Sequence, residues 1–164
     1  MSADKNWQFE LEEYIKQGEP GQIEKSEAWQ TAIGLQAIDG LQTSAYLLDT
    51  AKEHIEGKIS IDEVQKRIQS YYEQRADRTQ TENDTEEADI VSARITKLLG
   101  EKAFQFSPIE WLTIHRRLFE DVFSHAGQIR QYNITKKEWV LKGDTVTYAS
   151  WNSIKAVSYT HLRA

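Results

Sequence analysis

The stretch from Ser107 to Arg130, SPIEWLTIHRRLFEDVFSHAGQIR, constrains the fold more than any other. Ser107 is placed to cap a helix, Pro108 takes the first helical position, and Glu110 completes a capping box. At about 100° per residue, Ile109, Trp111, Leu112, Ile114, Leu118, Phe119, Val122 and Phe123 cover roughly half the circumference. Glu110, Thr113, Arg116, Arg117, Glu120 and Asp121 cover the remainder. A helix with so wide an apolar face is expected at the centre of a core. It leaves through an Ala126-Gly127 turn into a strand-like run.

What precedes this stretch reads as helices able to pack onto it. Asn6 to Gln17 places Trp7, Leu11, Tyr14 and Ile15 on one face, and the cluster Gly18-Glu19-Pro20-Gly21 ends it. Ser26 to Asp39 is a second helical run, stopped by Gly40. Thr43-Ser44 opens a third through Glu56, with Leu47, Leu48, Ala51 and Ile55 recurring at three and four. Ser60-Ile61-Asp62-Glu63 has the capping-box form and opens a fourth. Gln74 to Thr85 is polar and reads as a linker or an exposed loop. Glu86 to Leu99 is a fifth helix, with Gly100 after it.

Beyond Gly127 the pattern changes. Ile129, Tyr132, Ile134, Trp139, Val140 and Leu141 favour strand, Lys142-Gly143-Asp144 is a turn, and Thr145 to Tyr148 is a second strand-like run. A lone hairpin is marginal, so this one has to lie against helices. Ser150 can cap a last helix beginning at Trp151. The fold class predicted is mainly α with one β-hairpin. The predicted division is a helical module at 1–76, a linker or loop at 77–85, a second domain at 86–155 and a non-native tail at 156–164.

A net charge of −6 and a pI near 5.3 argue against nucleic acid and anionic membrane as partners. Lys136-Lys137 is the one basic pair near aromatic residues. Without cysteine there are no disulfides, thiolate nucleophiles or Cys-held metals. The start MSADKNWQFELEE lacks the features of a signal peptide, and no apolar run approaches the roughly 18 residues of a membrane span. The expectation is a cytoplasmic protein.

Few residues invite chemistry. His115 falls within the apolar arc, where it is either a base or metal ligand, or a core histidine bonded to backbone. No second acid or histidine shares that face, which favours the latter. His125 near the helix end suits the helix dipole. Arg116 and Arg117 lie on the acidic polar face, as a solvated and salt-bridged surface does, whereas Arg130 opens the strand. There is no phosphate-binding glycine loop, H-E-x-x-H or G-x-S-x-G. These residues specify no catalytic or metal site.

From Trp111 onward the chain resembles the Fic/Doc family. The carrying residues are Trp111-Leu112-x-Ile114-His115-x-x-Leu118-Phe119, then Ala126-Gly127-Gln128-Ile129-Arg130, then Asn133-Ile134-Thr135-Lys136. Ile33 to Ser60 is similar to the VbhA-like antitoxin region found ahead of such domains, through Asp39-Gly40-Leu41 and Glu56-Gly57-Lys58-Ile59-Ser60. The resemblance implies a partial helical Fic-type fold whose full-length parent transfers AMP from ATP, with Mg²⁺, to a protein hydroxyl. It implies structural roles for His115, Gly127 and Arg130. The hairpin becomes a flap that docks a target protein through Lys136, Lys137, Glu138, Trp139, Val140, Leu141, Thr145 and Val146. It makes Asp39 and Gly40 candidates for an inhibitory motif, with Leu35 where the family has Ser or Thr and Asp39 where it has Glu. The family motif H-x-F-x-(D/E)-G-N-x-R is missing, so this chain is expected to be an N-terminal fragment, inactive and without cofactors of its own. The alternative is a non-catalytic helical interaction or antitoxin-like regulatory module.

Overall fold

The computed structural model describes residues 6–74, 79–101, 107–137 and 145–161. It is mainly helical, and the chain divides into two compact units, Met1–Ala103 and Phe104–Ala164. The first holds five helices, α1 (Asn6–Gln17), α2 (Pro20–Ile38), α3 (Ala45–Ile55), α4 (Ile61–Glu73) and α5 (Gln80–Gly100).

Two helix starts differ from expectation for the same reason. Helix α2 begins at Pro20, not Ser26, because proline at the first position has no N–H to leave orphaned. The Glu19 N–H donates to Gln22 Oε1 at 3.1 Å and fixes that start. Helix α5 begins at Gln80, not Glu86. Thr79 caps it, with the Glu82 amide donating to Thr79 Oγ1 at 3.3 Å and the Thr79 amide to Glu82 Oε2 at 2.9 Å. Residues 79–85 are therefore a cap and a helical turn and a half, not a linker. Helix α5 packs on α2 and α4, so it belongs to the first unit. The remaining starts agree with the reading. Ser44 caps α3 and Ser60 caps α4. At Ser60 the carboxylate of Glu63 turns to Arg67, at 3.3 Å, while the serine accepts the Glu63 amide.

Helix α2 packs against α1, α3 and α5, and α4 closes onto α3 and α5. The core is drawn from all five: Leu11, Trp29, Ile33, Leu47, Ala51, Ile55, Val64, Ile68, Tyr72 and Ala93 are buried together. Burying one large apolar side chain contributes about 1.5–3 kcal/mol, so this cluster supplies the main drive to fold. Directional contacts fix the packing. Ser26 Oγ donates to the Leu11 carbonyl at 2.8 Å, tying α2 to α1. Tyr46 on α3 stacks on Tyr71 of α4, 4.2 Å between ring centres and 6° from parallel.

Asp89 joins three helices at one point. It lies on α5 and is fully buried. Its Oδ1 accepts the Ser44 amide at 2.8 Å, and its Oδ2 accepts the Ser44 hydroxyl at 2.5 Å and the Tyr72 hydroxyl at 2.7 Å. Burial raises the carboxyl above the ordinary carboxylate range, and the donors from Ser44 and Tyr72 oppose that without cancelling it.

The second unit holds α6 (Pro108–Phe119), the short strands β1 (Thr135–Lys137) and β2 (Thr145–Thr147), and α7 (Trp151–His161). The strands pair antiparallel, Thr135 with Thr147, Lys136 with Val146 and Lys137 with Thr145. Residues 138–144 lie outside those described. Helix α6 differs from the sequence reading in two respects. It ends at Phe119 instead of Phe123, because Asp121 adopts a left-handed conformation (φ 64°), which a short polar side chain tolerates. Nor is it the centre of the core: no described residue of it is fully buried, and Trp111 and Ile109 are 66% and 61% exposed. The Ile129–Ile134 run, expected as strand, is irregular. The backbone of 156–161, read as a non-native tail, continues α7.

If Asp89 holds α3 and α4 to α5, Asp89→Ala removes three hydrogen bonds and leaves buried donors facing a cavity. We expect a loss of about 3–4 kcal/mol in urea unfolding, against about 1–2 kcal/mol for Tyr72→Phe, which removes one.

Candidate functional site

Several residues between His115 and Asn133 make side-chain-to-backbone bonds within the second unit. His115 lies one turn before the end of α6 and is half-buried. Its Nδ1 accepts the Gly127 amide at 2.8 Å, which folds the 120–127 turn back onto the helix. Gly127 has φ +72°, and a Cβ there would stand 2.7 Å from Arg116 Cβ and 3.2 Å from the Leu112 carbonyl oxygen. The position therefore requires glycine on both conformational and steric grounds. The chain then runs to Arg130, whose Nη2 donates to the Ala149 carbonyl and whose guanidinium lies 6.0 Å from the centre of the Tyr148 ring. Arg130 Nη1 is buried without a hydrogen-bond partner. Asn133 Oδ1 accepts the Trp151 amide at 3.0 Å, and Ser150 Oγ accepts the Ser153 amide at 3.2 Å, so the two residues together cap α7. Arg130 and Asn133, just before β1, thus grip the chain just after β2.

These bonds tie side chains of the irregular 129–134 segment to the 149–151 backbone. They also place His115 as a backbone-bonded histidine. With Nδ1 accepting, the ring is neutral and carries its proton on Nε2. One expectation about it is corrected. A second histidine does stand nearby, His125, at 6.2 Å between ring centres. Periodicity along a helix could not find it, because the turn after Phe119 reverses the chain. For the same reason His125 is six residues past the end of α6 and does not meet its dipole. Burial lowers the pKa of His115, and the neighbouring His125 adds to that. The rings of His115, Phe119, Phe123 and His125 follow one another at 5.0–5.4 Å.

Of the flap candidates, Lys136 and Lys137 are on β1 and Thr145 and Val146 on β2. Glu138, Trp139, Val140 and Leu141 lie outside the described residues. Asp39 and Gly40 end α2 in a Schellman arrangement. Gly40 has φ +80°, its amide donates to Ala37 at 3.1 Å, and the Leu41 amide donates to Gln36 at 3.0 Å. The Asp39 backbone thus closes a helix, whatever its side chain does. Among the described residues, no group of three or more His, Asp or Glu is arranged to hold a metal ion, and no helix is long and apolar enough to cross a membrane.

A second place stands out only in the structure. His54, on α3, is buried and accepts the Trp29 indole N–H on Nδ1 at 3.1 Å, while Lys25 Nζ donates to its carbonyl at 3.0 Å. His54 lines a cleft of about 660 Å³ with residues of α2, α4 and α5. The sequence offers no periodic signal for it, because the lining comes from four helices.

Comparison of the chain with protein-family models, with curated proteins and with solved structures gave no match.

Burial and the Lys25 charge push His54 down to about 4. A folded-state value below the unfolded 6.5 means that stability is complete above pH 6.5 and is lost as the pH falls toward 4, by roughly 3 kcal/mol from this group. Imidazole ¹⁵N shifts should show His54 neutral at pH 5.5. A midpoint near 6.5 would contradict the Trp29 bond.

Proposed function

We propose that this chain is the amino-terminal part of a Fic-type protein AMP-transferase. In this reading an antitoxin-like helical unit is followed by the first helix and the flap of the transferase domain, and the flap receives an extended segment of a target protein by backbone pairing. The observation that carries the proposal is the frame around the hairpin. Arg130 and Asn133, from two separated stretches of the resemblance, both bond the chain just after β2, and His115 bonds Gly127 in the turn that leads toward them. A chance likeness gives no reason for those positions to hold one hairpin.

The chemistry of such a transferase belongs to residues this chain lacks. None of its four histidines stands in an H-x-F-x-(D/E)-G-N-x-R motif, so no base, Mg²⁺ carboxylate or phosphate-binding asparagine of that kind is available. ATP and Mg²⁺ are assigned to the full-length parent, and the 164 residues by themselves are proposed to be inactive. In the proposal Asp39 supplies the charge of the inhibitory glutamate with one methylene less reach. The second reading is a non-catalytic interaction or antitoxin-like regulatory module; the exposure of Trp111 and Ile109 on α6 favours the fragment over it, as apolar surface that further helices would cover.

The proposal is tested by reading the coding region past Ala164 and expressing the longer product. We expect the motif within roughly a hundred codons, about a domain's length. We expect label from α-³²P ATP to reach a protein target with the longer chain and not with the 164-residue chain. Absence of the motif, or labelling by the short chain alone, would contradict it.

A further inference from the structure

The cleft at His54 has the size of a small-molecule site, which typically spans about 300–1,000 Å³. It also contains a polar group with nothing to bond. Thr96 on α5 lines it, is 4% exposed, and its Oγ1 is buried without a hydrogen-bond partner. A buried hydroxyl left unpaired costs about 1–3 kcal/mol, so its retention beside a cleft points to a partner that arrives from outside.

The lining specifies that partner's chemistry. His54 commits Nδ1 to Trp29, so its free position, Nε2, is a donor. Lys25 spends one ammonium proton on the His54 carbonyl and has two more. With the Thr96 hydroxyl, these groups favour an acceptor, and the Lys25 charge favours an anionic one. Glu24, Glu27 and Glu101 also line the cleft and favour a cation, while Lys97, which lines it too, is paired with Asp62 at 2.7 Å. Ile61, Ala28 and Leu99 supply apolar surface. A simple anion meets the three glutamates unfavourably, and a simple cation leaves Lys25 and Thr96 unmatched. We propose that the cleft binds a small zwitterion with an apolar body, the class of a free aliphatic or aromatic amino acid, its carboxylate on Thr96, Lys25 and His54 and its ammonium toward Glu24 and Glu27. Every described lining residue belongs to the first unit, and the proposal is independent of the Fic-type reading.

The experiment is calorimetric titration of the full chain with L-leucine and L-phenylalanine, each beside its N-acetyl form, which lacks the ammonium, and its amide, which lacks the carboxylate. The expected result is saturable 1:1 binding of at least one free amino acid, weakened about tenfold or more by either block. Thr96→Val, near-isosteric, is expected to weaken binding about fivefold or more with a melting temperature equal to or above that of the unaltered chain. Absence of saturable heat with both free amino acids at millimolar concentration would overturn the proposal. So would blocked forms that bind as well as free ones, since that marks a merely apolar cleft. If Thr96→Val lowers the melting temperature, the native chain's discrimination among the free and blocked forms decides.

Discussion

A buried carboxylate held by hydroxyl and amide donors organises the first unit. Asp89 receives two donors from the cap of α3 and one from the last turn of α4. Apolar packing among Leu47, Val64, Ile68 and Tyr72 draws these helices together but leaves their register loosely specified, because hydrophobic contact has no direction. The Asp89 bonds add direction. They also couple helix initiation to packing, since Ser44 both donates to Asp89 and accepts the Leu47 amide at 3.0 Å. Surface pairs such as Lys97–Asp62 at 2.7 Å and Arg67–Glu53 at 2.9 Å are solvated and contribute little.

The second unit uses other means. Among its described residues it has no fully buried apolar cluster, and its shape depends on side chains bonded to backbone: His115 to Gly127, Arg130 to Ala149, Asn133 to Trp151. Each bond fixes a turn, and together they bring the ends of a hairpin to one place. A three-pair ladder is too short to persist alone. That economy is what gives the hairpin, under the Fic-type reading, a defined position from which to receive another strand.

Much of the helical fold was legible because helix starts are written locally. Ser44, Ser60 and Ser107 were readable as caps, and Gly40 as a stop, from adjacent residues. Thr79-x-x-Glu82 carries the same signal, but the residues around it are so polar that no apolar stripe marks a helix there. Pro20 was read only as a breaker, though proline also starts helices. The long-range features were not legible. Asp89 sits among Ala88, Ile90 and Val91, and nothing nearby in sequence announces Ser44 or Tyr72 as its partners. The wide apolar face of α6 was read as a buried one, but amphipathicity records which face prefers burial and not whether anything covers it. Of the candidate sites, His115 and Gly127 were recognisable, but the cleft at His54 and Thr96 was not, being assembled from four helices.

The central claim, that Asp89 sets the register of α3 and α4 on α5, is tested most directly by amide hydrogen exchange in Asp89→Ala under native conditions. Protection should fall first and most at Ser44, Leu47 and the first turn of α3, with the middle of α2 retaining its protection relative to global unfolding. If the first turn of α3 keeps the protection it has in the unaltered chain, or every helix loses protection in the same proportion, Asp89 is not the tie and apolar packing alone fixes these helices.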